Sequence, residues 1–315
     1  MRHLLYIFCF CSGLVFLCHS CRREIASVYP ALLSADSMMW SNPDSALLVL
    51  EQIPDSRELR GEERALYALL LTQARYKSCV LLENDSLIQI AVDYYDGGRK
   101  QERLAQAYFY WGCVYLENKE FPKAISLYLK SLEDSIFVAM LYTHLGSCYS
   151  GQKLRSIARD MYKKGYAFCV GKDSARACYL LNDIGDTFLV EYQLDSALVY
   201  YRQVLEMASA LQRSDLLFAI CSDIAALYNE QDRYAEAEFY ISKALSYQSS
   251  KKDYTLACST KGDILGDLNQ SDSAIYYWKI GAESSNIYVK ASSYDCLFRE
   301  YKKMKLWKES TLYAD

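Results

Sequence analysis

The chain has 315 residues, 39 acidic against 35 basic, a formal net charge of −4 and 52% hydrophobic residues. Its lysines and arginines are scattered rather than clustered, which argues against a nucleic-acid footprint in this stretch. Beyond the first twenty residues the only histidine is His144, and Gly97 and Gly98, followed by Arg99 and Lys100, make no phosphate loop; no enzyme, cofactor or metal site is expected.

At the amino terminus, Arg2 and His3 precede an apolar run from Leu4 to Cys18, then His19, Ser20 and Cys21. This is a secretion-signal pattern over residues 1–20, with an apolar core too short to span comfortably as a mature helix. Leu17 to Cys21 resembles a bacterial lipoprotein cleavage box in which Cys21 is lipidated. Lipidation, an uncleaved anchor and simple cleavage each carry the remaining chain across a membrane.

Residues 25–53, with Ala46 in a small-residue position, and 62–95 look like degenerate helical units within a segment spanning 21–98. From 99 to 290 a quartet repeats: Gly112, Tyr115, Ala124, Tyr128; Gly146, Tyr149, Ala158, Tyr162; Gly185, Phe188, Ala197, Tyr201; Ala225, Tyr228, Ala237, Ile241; and Gly262, Leu265, Ala274, Trp278. Internal steps are always 3, 9 and 4, and the intervals between first members are 34, 39, 40 and 37. The small first residue falls mid-helix, the alanine starts a second helix, and small side chains let the two backbones approach while the aromatics fill the groove. Glycine costs about 1 kcal/mol against alanine inside a helix, so its recurrence implies a packing requirement. Asp44, Asp195 and Asp272, each in an Asp-Ser-Ala run, are expected to cap second helices. Gly97, Gly98, Gly171 and the polar stretch from Ser249 to Asp253 mark helix stops. No alternating strand pattern is present, and no Pro/Ser linker divides the array.

These quartets resemble the tetratricopeptide repeat, a helix-turn-helix unit. The resemblance implies an all-α fold, a right-handed α-solenoid of stacked repeats, and work as a holder of other molecules rather than a catalyst. The family's usual closing proline is missing; the prolines are Pro30, Pro43, Pro54 and Pro122. Eight cysteines follow Cys21, with no CxxC pair, several at small or apolar positions where a thiol packs as a small hydrophobe. An inter-unit disulfide stays open as an alternative.

The family's concave face is lined by first helices. Carried over residue by residue, the resemblance exposes Phe109, Tyr110 and Glu117, then Thr143, His144 and Ser147. Tyr179, Asn182, Asp183 and Asp186 follow, then Ser222, Asp223, Asn229 and Glu230, and lastly Ser259, Thr260 and Asp263. The face is aromatic first and acidic later, which fits a basic or polar protein or peptide. The family's carboxylate-clamping basic residues are not at the matching positions. Asp183 and Asp186, side by side on one helix, do not flank a bond as glycosidase carboxylates must.

Residues 291–315 read as an incomplete unit, with Tyr301 in the aromatic position and Ser310 in the alanine position, leaving a face for a partner or for self-association. The pattern also resembles repeat lipoproteins and regulators of Bacteroidetes. The leading expectation is an envelope-anchored, non-catalytic scaffold. The alternatives are the sensory half of a transmembrane transcriptional regulator and a glycan-binding lipoprotein, the latter disfavoured because Trp111 and Trp278 fall in core positions.

Overall fold

The structure, a computed structural model, describes residues 27–53, 58–97, 100–132, 137–247 and 251–313. The signal pattern and Cys21 lie outside them. Among the described residues all regular structure is helical, and the chain divides into two compact units, residues 1–117 and 118–315. No described helix is long and apolar enough to cross a membrane.

The first unit holds α1 (Tyr29–Met38), α2 (Pro43–Glu51), α3 (Gly61–Lys77), α4 (Ser86–Asp96) and α5 (Gln101–Glu117). Helix α3 is its centre, packing against α1, α2, α4 and α5. Leu32, Ala35, Met39, Ala46, Leu50, Leu66, Leu70 and Ala74 form one buried cluster. Two polar links cross it: Arg103 pairs with Asp36 at 2.5 Å, and buried Gln106 donates to Gln73 at 2.8 Å.

The second unit holds α6 (Phe121–Leu132), α7 (Val138–Gly151), α8 (Arg155–Cys169), α9 (Ser174–Val190), α10 (Leu194–Ala210), α11 (Ser214–Glu230), α12 (Tyr234–Leu245), α13 (Lys251–Asp267), α14 (Ser271–Gly281), α15 (Ile287–Lys303) and α16 (Trp307–Ser310), closing on a 3-10 turn, Thr311–Tyr313. Each helix packs on the next, and α9, α11, α13 and α15 also touch in succession, forming one layer.

The expected packing rule holds in the hairpins α7–α8, α9–α10, α11–α12 and α13–α14. A Cβ placed on Gly146 would lie 2.3 Å from the Tyr162 ring, one on Gly185 2.5 Å from Tyr201, and one on Gly262 2.5 Å from Trp278. The missing side chain is thus the space the aromatic fills. Where the first position is Ala225, its partner is the smaller Ile241, and both are fully buried. Volume is conserved across the pair, as close-packed interiors require.

The turn between paired helices is uniform and was not legible from glycine. Lys153, Tyr192, Asp232, Asn269 and Lys305 all take left-handed conformations, with φ between 56° and 65°. The following amide donates to the carbonyl of Tyr149, Phe188, Tyr228, Leu265 or Tyr301 at 2.8–3.0 Å. This is the Schellman closure, usually built on glycine. The aromatic or apolar residue three after the small position therefore packs with its side chain and closes the turn with its carbonyl.

Two local expectations are corrected. Asn42, not Asp44, caps α2, accepting from Ser45; Gln193 and Gln270 precede α10 and α14 without a side-chain cap bond. Asp44, Asp195 and Asp272 lie inside the first turn, where a carboxylate interacts favourably with the positive helix end without accepting from it as a cap. Gly97 has a negative φ, whereas Gly171 is left-handed at +72° as a stop residue should be; Gly98 is outside the described residues. The described cysteines are free thiols, and Cys113, Cys148, Cys169, Cys178, Cys221 and Cys258 are buried.

Candidate partner-binding face

The layer of first helices in the second unit carries one polar row. Counting from the small residue, two positions before it stand His144, Asp183, Asp223 and Thr260; one position after stand Ser147, Asp186, Ala226 and Asp263. These two sets do different things.

The positions just after the small residue serve the fold. Tyr201, whose ring covers Gly185, donates its hydroxyl to Asp186 at 2.6 Å, and Trp278, whose ring covers Gly262, donates its indole N–H to Asp263 at 2.7 Å. Ser147 and the Tyr162 hydroxyl are 3.5 Å apart. Where the partner is Ile241 and has no polar tip, the position is Ala226. A half-buried aromatic hydroxyl or indole needs an acceptor, and this position supplies it. Sequence reasoning missed this role for Asp186 and Asp263, although pairing of the two positions across repeats carries the signal.

Asp183 and Asp223 have no such duty. Both are partly buried on adjacent helices, and among the described residues neither belongs to an ion pair. Burial, reinforced by nearby Asp186, pushes the Asp183 carboxyl up to about 7. Asp223 is likewise raised to about 7, by burial first and then Asp186, with a hydrogen bond involving Asn182 acting the other way. Asp186 is raised by burial, opposed by the Tyr201 bond, and its second oxygen faces the Asn182 amide at 3.4 Å. Partly desolvated carboxylates without a counter-charge either hold a proton or gain a cation, so this patch favours an ammonium or guanidinium group.

Among the remaining expected residues, Thr143 and His144 lie on α7 and are partly buried. Thr143 donates to the Ala139 carbonyl at 3.0 Å; His144 Nδ1 lies 2.8 Å from the Met140 carbonyl, and burial lowers its pKa, favouring neutral imidazole. Tyr179 is 51% exposed at the rim of α9. Asn229 Oδ1 is buried without a hydrogen-bond partner.

Phe109 and Tyr110 are corrected: they are 0% and 1% exposed and cannot line a face. Helix α5 packs against both α3 and α4, and Tyr110 meets Tyr76 edge-on at 5.9 Å, so the side expected to be open is covered. Ser259 is also buried, hydrogen-bonded to Ser293 at 3.0 Å. Glu117 is exposed, but its Oε2 accepts from the Leu82 amide at 3.1 Å, a structural bond.

No family model matches the chain. It is 25% identical over 182 residues to mouse mitochondrial tetratricopeptide repeat protein 19, covering 54% of this chain and 49% of that protein. The chain thus spans about half the length of the curated relatives it matches. Among solved structures, the apo form of RapI has a TM-score of 0.70 at 16% identity, covering 91% of this chain and 86% of that one. NprR in complex with its cognate peptide NprX has a TM-score of 0.58 at 15% identity, over 93% and 89%. The chain has an all-α, tetratricopeptide-like solenoid fold, the class its repeat spacing implies.

Proposed function

We propose that this chain is a non-catalytic scaffold that captures a basic or polar peptide on the α7, α9, α11 and α13 layer. The carrying observation is the pair Asp183 and Asp223, equivalent positions on neighbouring helices, partly desolvated and without ion-pair partners among the described residues. Two charges repeated along a helical layer suit an extended peptide with spaced lysine or arginine side chains. Support also comes from solved neighbours whose names describe peptide complexes: NprR with its cognate peptide NprX, and the Rap conjugation gene regulator of the plasmid pLS20 with the Phr* peptide. The lipoprotein-like box at Cys21 supports anchoring in a bacterial envelope.

The test is capture from detergent-solubilised envelopes of the native cell, followed by titration of the captured peptide segment. Asp183→Lys with Asp223→Lys is expected to abolish capture while the helical circular-dichroism signal is kept, because neither carboxylate holds a core aromatic. Unchanged capture by the folded double variant would remove the proposal. A second reading, the sensory half of a regulator, draws on the likeness to the quorum sensor NprR. It adds that peptide binding should alter a downstream output region, read by comparing transcription with and without peptide.

A further inference from the structure

The hairpin α3–α4 departs from the others at two points, and together they open a cleft. Cys79 is its left-handed turn residue, and the Val80 amide closes the turn on the Arg75 carbonyl at 2.9 Å, as Leu154 does on Tyr149. Arg75 therefore occupies the position held elsewhere by Tyr149, Phe188, Tyr228 or Leu265, and Thr72 the small position of Gly146 or Gly185. In the hairpins of the second unit from α7–α8 to α15–α16 the second helix starts two residues after the left-handed one, as Arg155 follows Lys153; here Ser86 follows Cys79 by seven.

The longer link, Val80–Asn84, stands off α3 and leaves a cavity of about 820 Å³. Its walls are Tyr67, Leu71 and Thr72 of α3, the link itself, and Leu87 and Ile90 of α4. The link is held from outside: Leu82 N donates to Glu117, and Asp85 accepts from Tyr115 at 2.7 Å, Trp111 at 3.0 Å and Gln89 at 2.8 Å. The opening is thus a built feature of this repeat.

Arg75 lines the cavity, and its Nε is buried without a hydrogen-bond partner. Arg64, on the same face of α3 about 16 Å away by helix rise, lines the opposite end. Among the described residues neither arginine lies in an ion pair, and Glu83, the carboxylate in the lining, is exposed and unpaired as well. Arg75 as a whole is half-buried, and the forked geometry of its guanidinium matches a carboxylate. The volume lies in the range of small-molecule sites, and the walls are mixed: Tyr67, Leu71, Leu87 and Ile90 give an apolar side, while Arg64, Thr72, Arg75, Glu83, Asn84 and Ser86 give a polar one.

We propose that the α3–α4 cleft is a second binding site, for a small amphiphilic carboxylate whose anionic group meets Arg75 and whose apolar body lies against Tyr67, Leu71, Leu87 and Ile90. It uses none of the residues of the peptide-capturing face, so either reading can fail alone.

The probe is octanoate, titrated into protein carrying ¹⁵N-arginine, with octanamide and inorganic phosphate as comparisons. Octanoate is expected to bind saturably and shift the Arg75 Nε–H resonance, at least tenfold more tightly than octanamide or phosphate. Arg75→Met, which keeps bulk and removes charge, is expected to lose at least tenfold in affinity, and Ile90→Trp to lose binding by filling the cleft. Equal binding of octanoate and octanamide, phosphate binding as tight as octanoate, or no saturable shift by octanoate overturns the assignment. The wild-type titration reads the resonance directly, so it decides even if a variant fails to fold.

Discussion

The hairpins α9–α10 and α3–α4 are the same unit solved in opposite ways. In α9–α10, Gly185 makes room for the Tyr201 ring, Phe188 stacks on Tyr200, and the Tyr201 hydroxyl ends on Asp186. In α3–α4, Thr72 and Arg75 replace the glycine and the aromatic, the link lengthens, and the groove stays open. A repeat can therefore spend its groove on cohesion or keep it as a cavity, and two residues plus a link length decide which. Asp183 and Asp223 stand outside the filled grooves, on the layer of first helices.

The largest expected effect separates these two uses. Tyr201→Ala removes a fully buried ring and leaves Asp186 without its donor, and should cost about 3–5 kcal/mol in chemical denaturation. Arg75→Ala, at the position three after the small residue in its own hairpin, should cost less than about 1 kcal/mol, because its Nε makes no hydrogen bond. Comparable losses would mean that the open hairpin is held by its arginine after all.

A subtler test asks whether the glycine–aromatic pair is a unit. Gly185→Ala alone forces a Cβ into the Tyr201 ring and should cost about 1–3 kcal/mol. Gly185→Ala with Tyr201→Ile recreates the Ala225–Ile241 pairing, and adding Asp186→Ala recreates Ala226. The double variant should lose less than the two single losses summed, and the triple variant should regain more, since contacting residues are not additive. Strict additivity would show that the covariation between these positions is not packing.

What could be read from sequence obeys the same division. The intervals 34, 39, 40 and 37 between small residues reappear as the spacing of left-handed turn residues Lys119, Lys153, Tyr192, Asp232 and Asn269, because the small residue and the turn keep a fixed register on one helix. The cleft was hidden since Thr72 and Arg75 match neither the glycine nor the aromatic of the quartet. Phe109 and Tyr110 were misplaced because a family's exposed face assumes uniform neighbours, and α5 has α3 and α4 packed on it. Asp186 and Asp183 look alike in sequence; only the tyrosine hydroxyl beneath one of them separates structure from surface.

Acidity ties Asp183 to Asp223. Asp183 and Asp223 bind protons more tightly folded than unfolded, so stability falls as pH rises from about 4 through 7. Asp183→Asn and Asp223→Asn should each stabilise the protein by about 1–2 kcal/mol at pH 8 and leave it unchanged near pH 3, followed by denaturation across pH. Capture of a basic peptide should weaken in parallel as pH drops from 8 to 6. A flat stability difference across pH would mean the carboxyls are solvated and titrate normally.

The smallest expected effect lies in the turns. Tyr192 is 82% exposed and held at φ 56°, so its side chain contributes little packing while its backbone sits in the left-handed region. A non-glycine residue there costs about 1–2 kcal/mol, whereas glycine adopts it freely but loses more entropy on folding. Tyr192→Gly should therefore stabilise by about 0.5–1 kcal/mol, measured as a shift in denaturation midpoint without a change in slope. Cys79→Gly should gain a similar amount through its own Schellman turn, because the backbone closure on Arg75 is the same as the closure on Phe188. If Tyr192→Gly gains and Cys79→Gly loses, the long link depends on the Cys79 side chain, and the cleft hairpin differs from its neighbours in the turn itself as well as in the length of the Val80–Asn84 link.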